Sequence, residues 1–303
     1  MSRILVIRGG AIGDFILTLP AVRLLRESFP HAHLEILGYK HIIALAEMSG
    51  YANAARSIEY GRLASFFTGD GELAPDLVAY FSGFQQIVSY LFDPDGIFAT
   101  NLSRAGVRNF IAGSPKITGQ EHAARQLARP LERLALYLEN PAARIVPREN
   151  GLRDDNLLAI HPGSGSETKN WPIDRFVEVT RRWLAPNDQR KVMVVGGEAD
   201  EVLVDRLQGA VPNERVELAQ NQPLPELAGR MQRAAVFLGH DSGISHLAAA
   251  VGTPALLLFG PTDPAVWAPA NPQVRVLRSS SLTMAGISAD EVSYELMRIG
   301  IRT

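Results

Sequence analysis

Three short stretches of this 303-residue chain set small and charged residues where catalysis or anion binding can use them. Gly9-Gly10-Ala11-Ile12-Gly13-Asp14 isolates one carboxylate among glycines that leave it open to a ligand. Stabilising a helix start is the competing role for Asp14. His161-Pro-Gly-Ser164-Gly165-Ser166-Glu-Thr-Lys169 offers backbone amides and hydroxyls suited to a pyrophosphate. Lys169 adds a positive charge, useful where a leaving group gains negative charge. This is not a Walker loop, because G-x-x-x-x-G-K-[ST] is absent. Gly239-His-Asp241-Ser242-Gly243 opens a helix whose first amides suit a phosphate, with Gly243 allowing close approach. A diphosphate would repel Asp241, so sugar hydroxyls are its expected partners, and capping the helix is compatible with that. Glu198 is placed either to accept from a ribose diol or to stabilise the first turn of its helix. His246 reads as a pocket residue or a packed helix residue. His161, His240 and His246 lack a metal-ligand spacing, so no metal site is expected.

Each stretch needs a strand before it and a helix after it. Arg3–Arg8 is a buried-type strand, followed by Gly9–Asp14 and a helix from about Phe15 to Phe29. Gly9, Gly10 and Gly13 miss the G-x-G-x-x-G spacing. The second strand, His33–Leu37, ends in Gly38-Tyr39-Lys40 without the carboxylate that would hold a ribose. A dinucleotide site is therefore set aside. Between Tyr51 and Gly113 the pattern weakens, with strands at Gln86–Phe92 and Arg108–Ala112 and a helix near Ile97–Ala105. Eight of the 22 aromatic residues fall between Phe66 and Phe98, as an ordinary core or as a surface resting on lipid. His122–Leu138 reads as a helix divided by Pro130, with Leu127, Leu131, Leu134 and Leu138 inward. Arg125, Arg129 and Arg133 recur on another face, either solvated or cradling an anionic acceptor.

Pro141–Asp155 reads as an interdomain linker. Strands at Leu157–Ile160, Lys191–Val195, Arg215–Glu217, Ala235–Leu238 and Ala255–Phe259 then alternate with helices, the pattern of a doubly wound α/β domain. The turn after Leu238 sits at a carboxyl strand edge, where open α/β sheets bind ligands. Ser288-Ala-Asp-Glu291 is a capping box opening a last helix to about Ile299.

Bulk composition narrows the class. Hydrophobic content of 46% and charged content of 20% describe a soluble globular protein, and the length suggests two domains. A formal net charge of −2 speaks against nucleic acid as a partner. Without cysteine there are no disulfides or thiolate metal sites, which fits a cytoplasmic address. Met1–Pro20 is not expected to be a secretory signal, since Arg3, Arg8 and Asp14 interrupt its apolar run. No stretch approaches the roughly 20 apolar residues of a membrane-spanning helix, so any membrane contact is expected to be peripheral.

Taken in order, Gly10-Ala-Ile-Gly-Asp14 with Leu19-Pro20, His161-Pro-Gly-Ser-Gly-Ser166 with Lys169-Asn-Trp-Pro172, and Asp241-Ser-Gly-Ile-Ser-His246 with Gly260-Pro-Thr-Asp-Pro264 resemble glycosyltransferase family 9. Its best-known members are the ADP-heptose:lipopolysaccharide heptosyltransferases. The resemblance implies an α/β GT-B architecture of two Rossmann-like domains with the active site in the cleft between them. Residues 1–150 would take the acceptor side and 151–286 the nucleotide sugar, with 287–303 packing back toward the N-terminal domain. It implies Asp14 as general base and Lys169 on the donor phosphates. It also implies Asp241, Ser242 and Gly243 on the donor sugar and diphosphate; the residues' own chemistry adds Ser164, Gly165, Ser166, Glu198 and His246 for the donor, and Gly10, Gly13, Arg125 and Arg129 for the acceptor side. The partners implied are ADP-heptose or another nucleotide sugar as substrate and a lipid-linked saccharide acceptor, at the inner face of the cytoplasmic membrane. No tightly bound cofactor is implied, and the residues do not decide a need for Mg²⁺. The chain is shorter than usual for the family, and Tyr51–Gly113 departs from its pattern. A GT-B epimerase and a non-catalytic nucleotide-sugar binding protein are the rival readings.

Overall fold

A computed structural model describes residues 2–147 and 151–300. The chain divides into two units, 1–141 and 142–303. The expected linker, 141–155, begins on the last residue of the first unit and otherwise falls in the second, and its residues 148–150 lie outside the described residues. Ile145 already belongs to the second unit, its amide donating to the Ala250 carbonyl.

The first unit runs β1 (Arg3–Arg8), α1 (Ile12–Ser28), β2 (His33–Gly38), α2 (Lys40–Ser49), β3 (Ala54–Ser57), a 3-10 segment (Gly61–Phe67) and α3 (Pro75–Ser82). β4 (Gln86–Ser89), α4 (Ile97–Arg104), β5 (Phe110–Ala112), α5 (Ala123–Ala128) and a second 3-10 segment (Arg129–Leu134) complete it. The strands are parallel in the order β3-β2-β1-β4-β5. Buried on both faces, β1 shows the continuous apolar run of a central parallel strand. α1 starts three residues earlier than expected, which draws Asp14 into its first turn. The expected helix 122–138 is shorter and changes character at Pro130, where the missing amide and the ring favour a tighter 3-10 turn. Leu127 and Leu131 are buried there, whereas Leu134 and Leu138 are only partly so.

The second unit runs β6 (Asp154–Ile160), α6 (Ile173–Leu184), β7 (Lys191–Gly196), α7 (Glu201–Gln208), β8 (Val216–Gln220) and α8 (Leu224–Gln232). It continues through β9 (Ala234–His240), α9 (Gly243–Ala250), β10 (Ala255–Phe259), α10 (Pro264–Trp267), β11 (Val274–Arg278) and α11 (Ala289–Gly300). Its parallel sheet has the order β11-β10-β9-β6-β7-β8. Counted within the unit this is 3-2-1-4-5-6 read from β8, the doubly wound order of a Rossmann fold. The strand order reverses between β6 and β9, and both strands lead into stretches singled out above.

α11 begins with the expected reciprocal cap: the Ser288 amide donates to Glu291 Oε2 (2.9 Å) and the Glu291 amide to Ser288 Oγ (3.2 Å). Its apolar side, Val292 and Leu296, joins the core of the second unit with Trp171, Phe176 and Trp183. The Trp171 indole N–H donates to the Ile287 carbonyl at 2.9 Å, so the buried ring keeps its polar atom satisfied. No helix among the described residues is long and apolar enough to cross a membrane.

Candidate functional site

In the first unit the site grows from β1 and the start of α1. Gly10 adopts φ +95°, and a Cβ there would stand 2.7 Å from Asp14 Oδ2. Glycine is thus required both by the backbone and by the carboxylate. Gly13 is the second residue of α1 and Asp14 the third. From there Asp14 Oδ2 accepts the Ala11 amide at 2.9 Å, closing the turn as an N3 carboxylate does. Its Oδ1 lies 3.3 Å from an Arg8 terminal nitrogen. That nitrogen is buried and makes no hydrogen bond of its own. Burial lowers the Arg8 pKa, and the Asp14 charge only partly opposes this. Arg8 also lies 5.9 Å from the ring centre of Tyr90, just beyond β4. Tyr90 donates to the Leu127 carbonyl at 2.6 Å, and burial pushes its phenol pKa up, keeping it neutral. One carboxylate, held from two sides and partly open to solvent, results.

Arg8 and Tyr90 were not singled out in the sequence. Arg8 there looks like the polar end of an apolar strand, and only the fold shows it buried beside Asp14. Arg125 and Arg129 are exposed and each has a partner within the chain. Arg125 donates to the Leu138 and Glu139 carbonyls (2.8 and 2.9 Å), tying down the chain after α5, and Arg129 pairs with Glu121.

In the second unit three loops leave the carboxyl ends of β6, β7 and β9. Ser164 Oγ donates to the Ser166 carbonyl at 2.7 Å and accepts the Ser166 amide, a tight turn that leaves Gly165 and Ser166 exposed. Lys169 Nζ donates to the Asp241 carbonyl (2.9 Å) and stands 3.4 Å from its Oδ2, joining the first loop to the third. Asp241 is thus neutralised by a lysine. Its charge does not repel an anion as strongly as the sequence alone suggests. Ser242 is the cap of α9, accepting the Ser245 amide, while Ser245 Oγ donates to the His240 carbonyl. Gly243 is the first residue of α9, and His246 is buried within it.

Behind this surface lies a polar layer that sequence reasoning missed. His161 Nε2 is 3.2 Å from Asp200 Oδ2, and its Nδ1 is 3.4 Å from Ser242 Oγ. Asp200 Oδ2 also accepts the Gly197 amide at 3.0 Å. Burial disfavours the Asp200 charge, but the His161 and Gly197 hydrogen bonds prevail and hold its pKa below the usual carboxylate value. A Cβ on Gly163 would fall 1.8 Å from Asp200 Oδ1, so glycine is what lets the first and second loops meet. His240, fully buried, accepts the Trp171 amide on Nε2 (2.9 Å), which leaves its proton on Nδ1, 3.3 Å from the Gly163 carbonyl. Burial pushes the His240 pKa down to about 3, so the ring is neutral. Glu198, by contrast, is exposed two residues before Asp200. The carboxylate that braces the loops is Asp200; the one open to a ligand is Glu198.

Chemically the second unit presents an ammonium, two exposed turn residues with free reach to an anion, and a capped helix start at a topological switch point. Residues 110–292 match the model of glycosyltransferase family 9 (heptosyltransferase). Over 117 residues, 38% of the chain, the sequence is 34% identical to lipopolysaccharide heptosyltransferase 3 of Escherichia coli K12. That stretch spans 34% of the E. coli protein. It is 25% identical over 171 residues to lipopolysaccharide heptosyltransferase 2 of Salmonella typhimurium, 53% of this chain and 47% of that protein. The matched stretches thus span between about a third and a half of these relatives. In fold the chain is similar to a family 9 glycosyltransferase from Veillonella parvula, with TM-score 0.80 and 20% identity, covering 100% of this chain and 98% of that one. The E. coli ADP-heptose lipopolysaccharide heptosyltransferase II gives 0.78 at 16% identity, covering 100% and 99%. The E. coli heptosyltransferase WaaC with ADP gives 0.72 at 16%, covering 98% and 99%. At such identities the likeness establishes the GT-B fold class, two parallel-sheet α/β domains, and no more.

Proposed function

The chain belongs to glycosyltransferase family 9, and from that premise we propose that it is an inverting transferase carrying heptose from ADP-heptose to a hydroxyl of a lipopolysaccharide core acceptor. The carrying observation is Asp14: a carboxylate at the carboxyl edge of a parallel sheet, oriented by the Ala11 amide and by Arg8, yet partly solvent-open. Each unit supplies one half of the reaction. The acceptor oxygen attacks the anomeric carbon as the bond from that carbon to the diphosphate oxygen breaks. Asp14 takes the proton of the attacking hydroxyl, and the diphosphate departs with the bonding electron pair. Attack opposite the leaving group inverts the anomeric configuration.

The second unit meets the departing charge with Lys169, the exposed Ser164–Ser166 turn and the start of α9. Asp241 and Glu198 serve the hydroxyls of the donor, and His246 the wall of its pocket. A cytoplasmic enzyme touching the inner membrane face peripherally would meet both substrates. Thermal shift with ADP-, GDP- and UDP-sugars identifies the donor, since a ligand of the folded state raises the melting temperature. Analysis of the transferred sugar then tests the chemistry. Inverted linkage to a saccharide acceptor is expected; retained configuration, or donor conversion without acceptor, would overturn the proposal.

A further inference from the structure

A titratable ring stands behind the donor loops, and the transfer step gives it no part. His161 follows β6 directly, its side chain is 5% exposed, and it touches both neighbouring loops. Nε2 is 3.2 Å from Asp200 Oδ2. An ionised carboxylate only accepts, so Nε2 carries the hydrogen of the neutral ring. Nδ1 is then a bare acceptor, 3.4 Å from Ser242 Oγ.

That contact decides where the Ser242 hydrogen goes. Ser242 caps α9 beside the partly exposed Gly243. The Ser245 amide donates to Ser242 Oγ at 3.3 Å, while the Ser245 hydroxyl donates to the His240 carbonyl. With His161 neutral, Ser242 gives its one hydrogen to Nδ1, or to Ser245 Oγ at 3.2 Å, and turns a lone pair toward an arriving anion. A proton on Nδ1 reverses the bond. The ring then donates, both Ser242 lone pairs are filled, and the hydroxyl hydrogen is released toward a phosphate oxygen.

Charge acts in the same direction. The positive end of α9 opposes an imidazolium until an anion arrives, and a bound anion favours it. Asp200 supplies the counter-charge from behind. Burial disfavours its ionised form, yet the hydrogen bonds from His161 and Gly197 keep the carboxyl ionised. Around the ring also stand His240, kept neutral by burial, Lys169 paired with Asp241, and the buried His246 one turn along α9. Among the described residues Asp200 is the one carboxylate within ion-pair distance of His161.

We propose that the diphosphate of the donor binds with uptake of one proton by His161, which turns the Ser242 hydroxyl from the ring to the phosphate. His161 is thus a positioning residue, acting through Ser242 and not on the reacting atoms. The inference rests on the nucleotide-sugar reading of this site. Solvent supplies the proton to Nδ1 on binding and receives it back when the nucleoside diphosphate leaves.

Calorimetry of ADP-heptose binding to the intact chain, in buffers of different ionisation enthalpy, counts the protons exchanged. This probe is suitable because its diphosphate is esterified at both ends and does not titrate near neutral pH. Net uptake approaching one proton is expected. Affinity should fall by up to about tenfold per pH unit where the free ring is neutral and the bound ring charged. Imidazole NMR at one such pH should show His161 gaining charge in the complex, its signal identified by loss in His161→Gln. That variant keeps a donor for Asp200 but gains no proton, so uptake should vanish and the pH profile of donor affinity flatten. Binding of ADP-heptose to the wild-type protein without proton exchange would overturn the proposal and leave the donor reading standing, whether or not the variant folds. The same charge on His161 in both states, or uptake undiminished in His161→Gln, would overturn it as well. Absence of any binding would overturn the proposal and the donor reading together.

Discussion

Arg8 and Asp14 form an unequal pair: 3.3 Å apart, the arginine side chain is 2% exposed and the aspartate 35%. The energetic consequences of losing either partner should therefore differ. Without Asp14 the guanidinium stays buried beside no counter-charge, a loss that costs about 3–5 kcal/mol when a buried charge is stranded. Without Arg8 the carboxylate turns to water, and an exposed-type pair contributes only about 0–1 kcal/mol. Asp14→Ala is thus expected to lower the urea midpoint more than Arg8→Met does. The reverse order would mean that Arg8, not Asp14, is the partner already solvated.

Turnover should separate from folding at the same carboxylate. Asp14→Asn keeps the side-chain shape and an oxygen for the Ala11 amide but cannot take a proton. A general base contributes about 10²–10⁴-fold, so kcat should fall by that amount with donor affinity unchanged. Parallel loss of kcat and of donor affinity would assign Asp14 to structure alone.

How much of this could be read from the chain itself varies with the kind of residue. β1, β9 and the second half of β6, Leu157–Ile160, announce themselves as apolar runs, and the glycine, serine and aspartate turns after them mark the strand ends. β3, by contrast, is Ala-Ala-Arg-Ser at a sheet edge, partly exposed and without an apolar run, and α2 and α3 around it went unrecognised. In the sequence nothing separates Asp200 from Glu198, two residues earlier. The deciding contact, with Gly163, joins positions far apart in sequence. Arg8 was invisible for the same reason: its burial depends on α1 and on Tyr90. Local pattern reveals which loops carry the site, while the layer that braces those loops is made of tertiary contacts.

Lys169 ties the first donor loop to the third through the Asp241 carbonyl and carboxylate. Hydrogen bonds to charged groups contribute about 1.5–3 kcal/mol, equivalent to roughly 10–100-fold in affinity. Lys169→Ala should weaken binding of the nucleotide sugar by that factor in calorimetry. Unaltered affinity would exclude Lys169 from the donor site.

The Gly163–Asp200 contact allows a test by double substitution. A methyl group at residue 163 collides with Asp200 Oδ1 and must displace the carboxylate from His161. Overpacking of this kind costs about 1–3 kcal/mol. Gly163→Ala alone is expected to destabilise the protein and to weaken donor binding. Added to Asp200→Ala, where the obstructing carboxylate is gone and only the Cβ of residue 200 remains, 3.1 Å away, it should have a much smaller further effect. Such non-additivity is the signature of residues in contact. Additive losses, read as urea midpoints of the four proteins, would place the strain of Gly163→Ala elsewhere.

His240 makes stability depend on pH in a definite direction. Unfolded, its imidazole takes up a proton below about pH 6.5, whereas burial holds the folded value at about 3. Between these values the unfolded chain binds more protons, so stability falls as pH drops from 6.5, by up to about 1.4 kcal/mol per unit. Asp200 acts at more acid pH: its lowered pKa contributes stability above the unfolded value near 3.8, lost as pH falls below it. The window between pH 4.5 and 6.5 is therefore where His240 can be isolated. His240→Gln can still accept the Trp171 amide and donate to the Gly163 carbonyl, but it does not titrate. Urea unfolding across this window should show a shallower acid decline for the glutamine variant, by up to one proton. Were both proteins to decline in parallel, the ring would have to gain its proton without unfolding, and the neutral His240 bridge between Trp171 and Gly163 would be wrong.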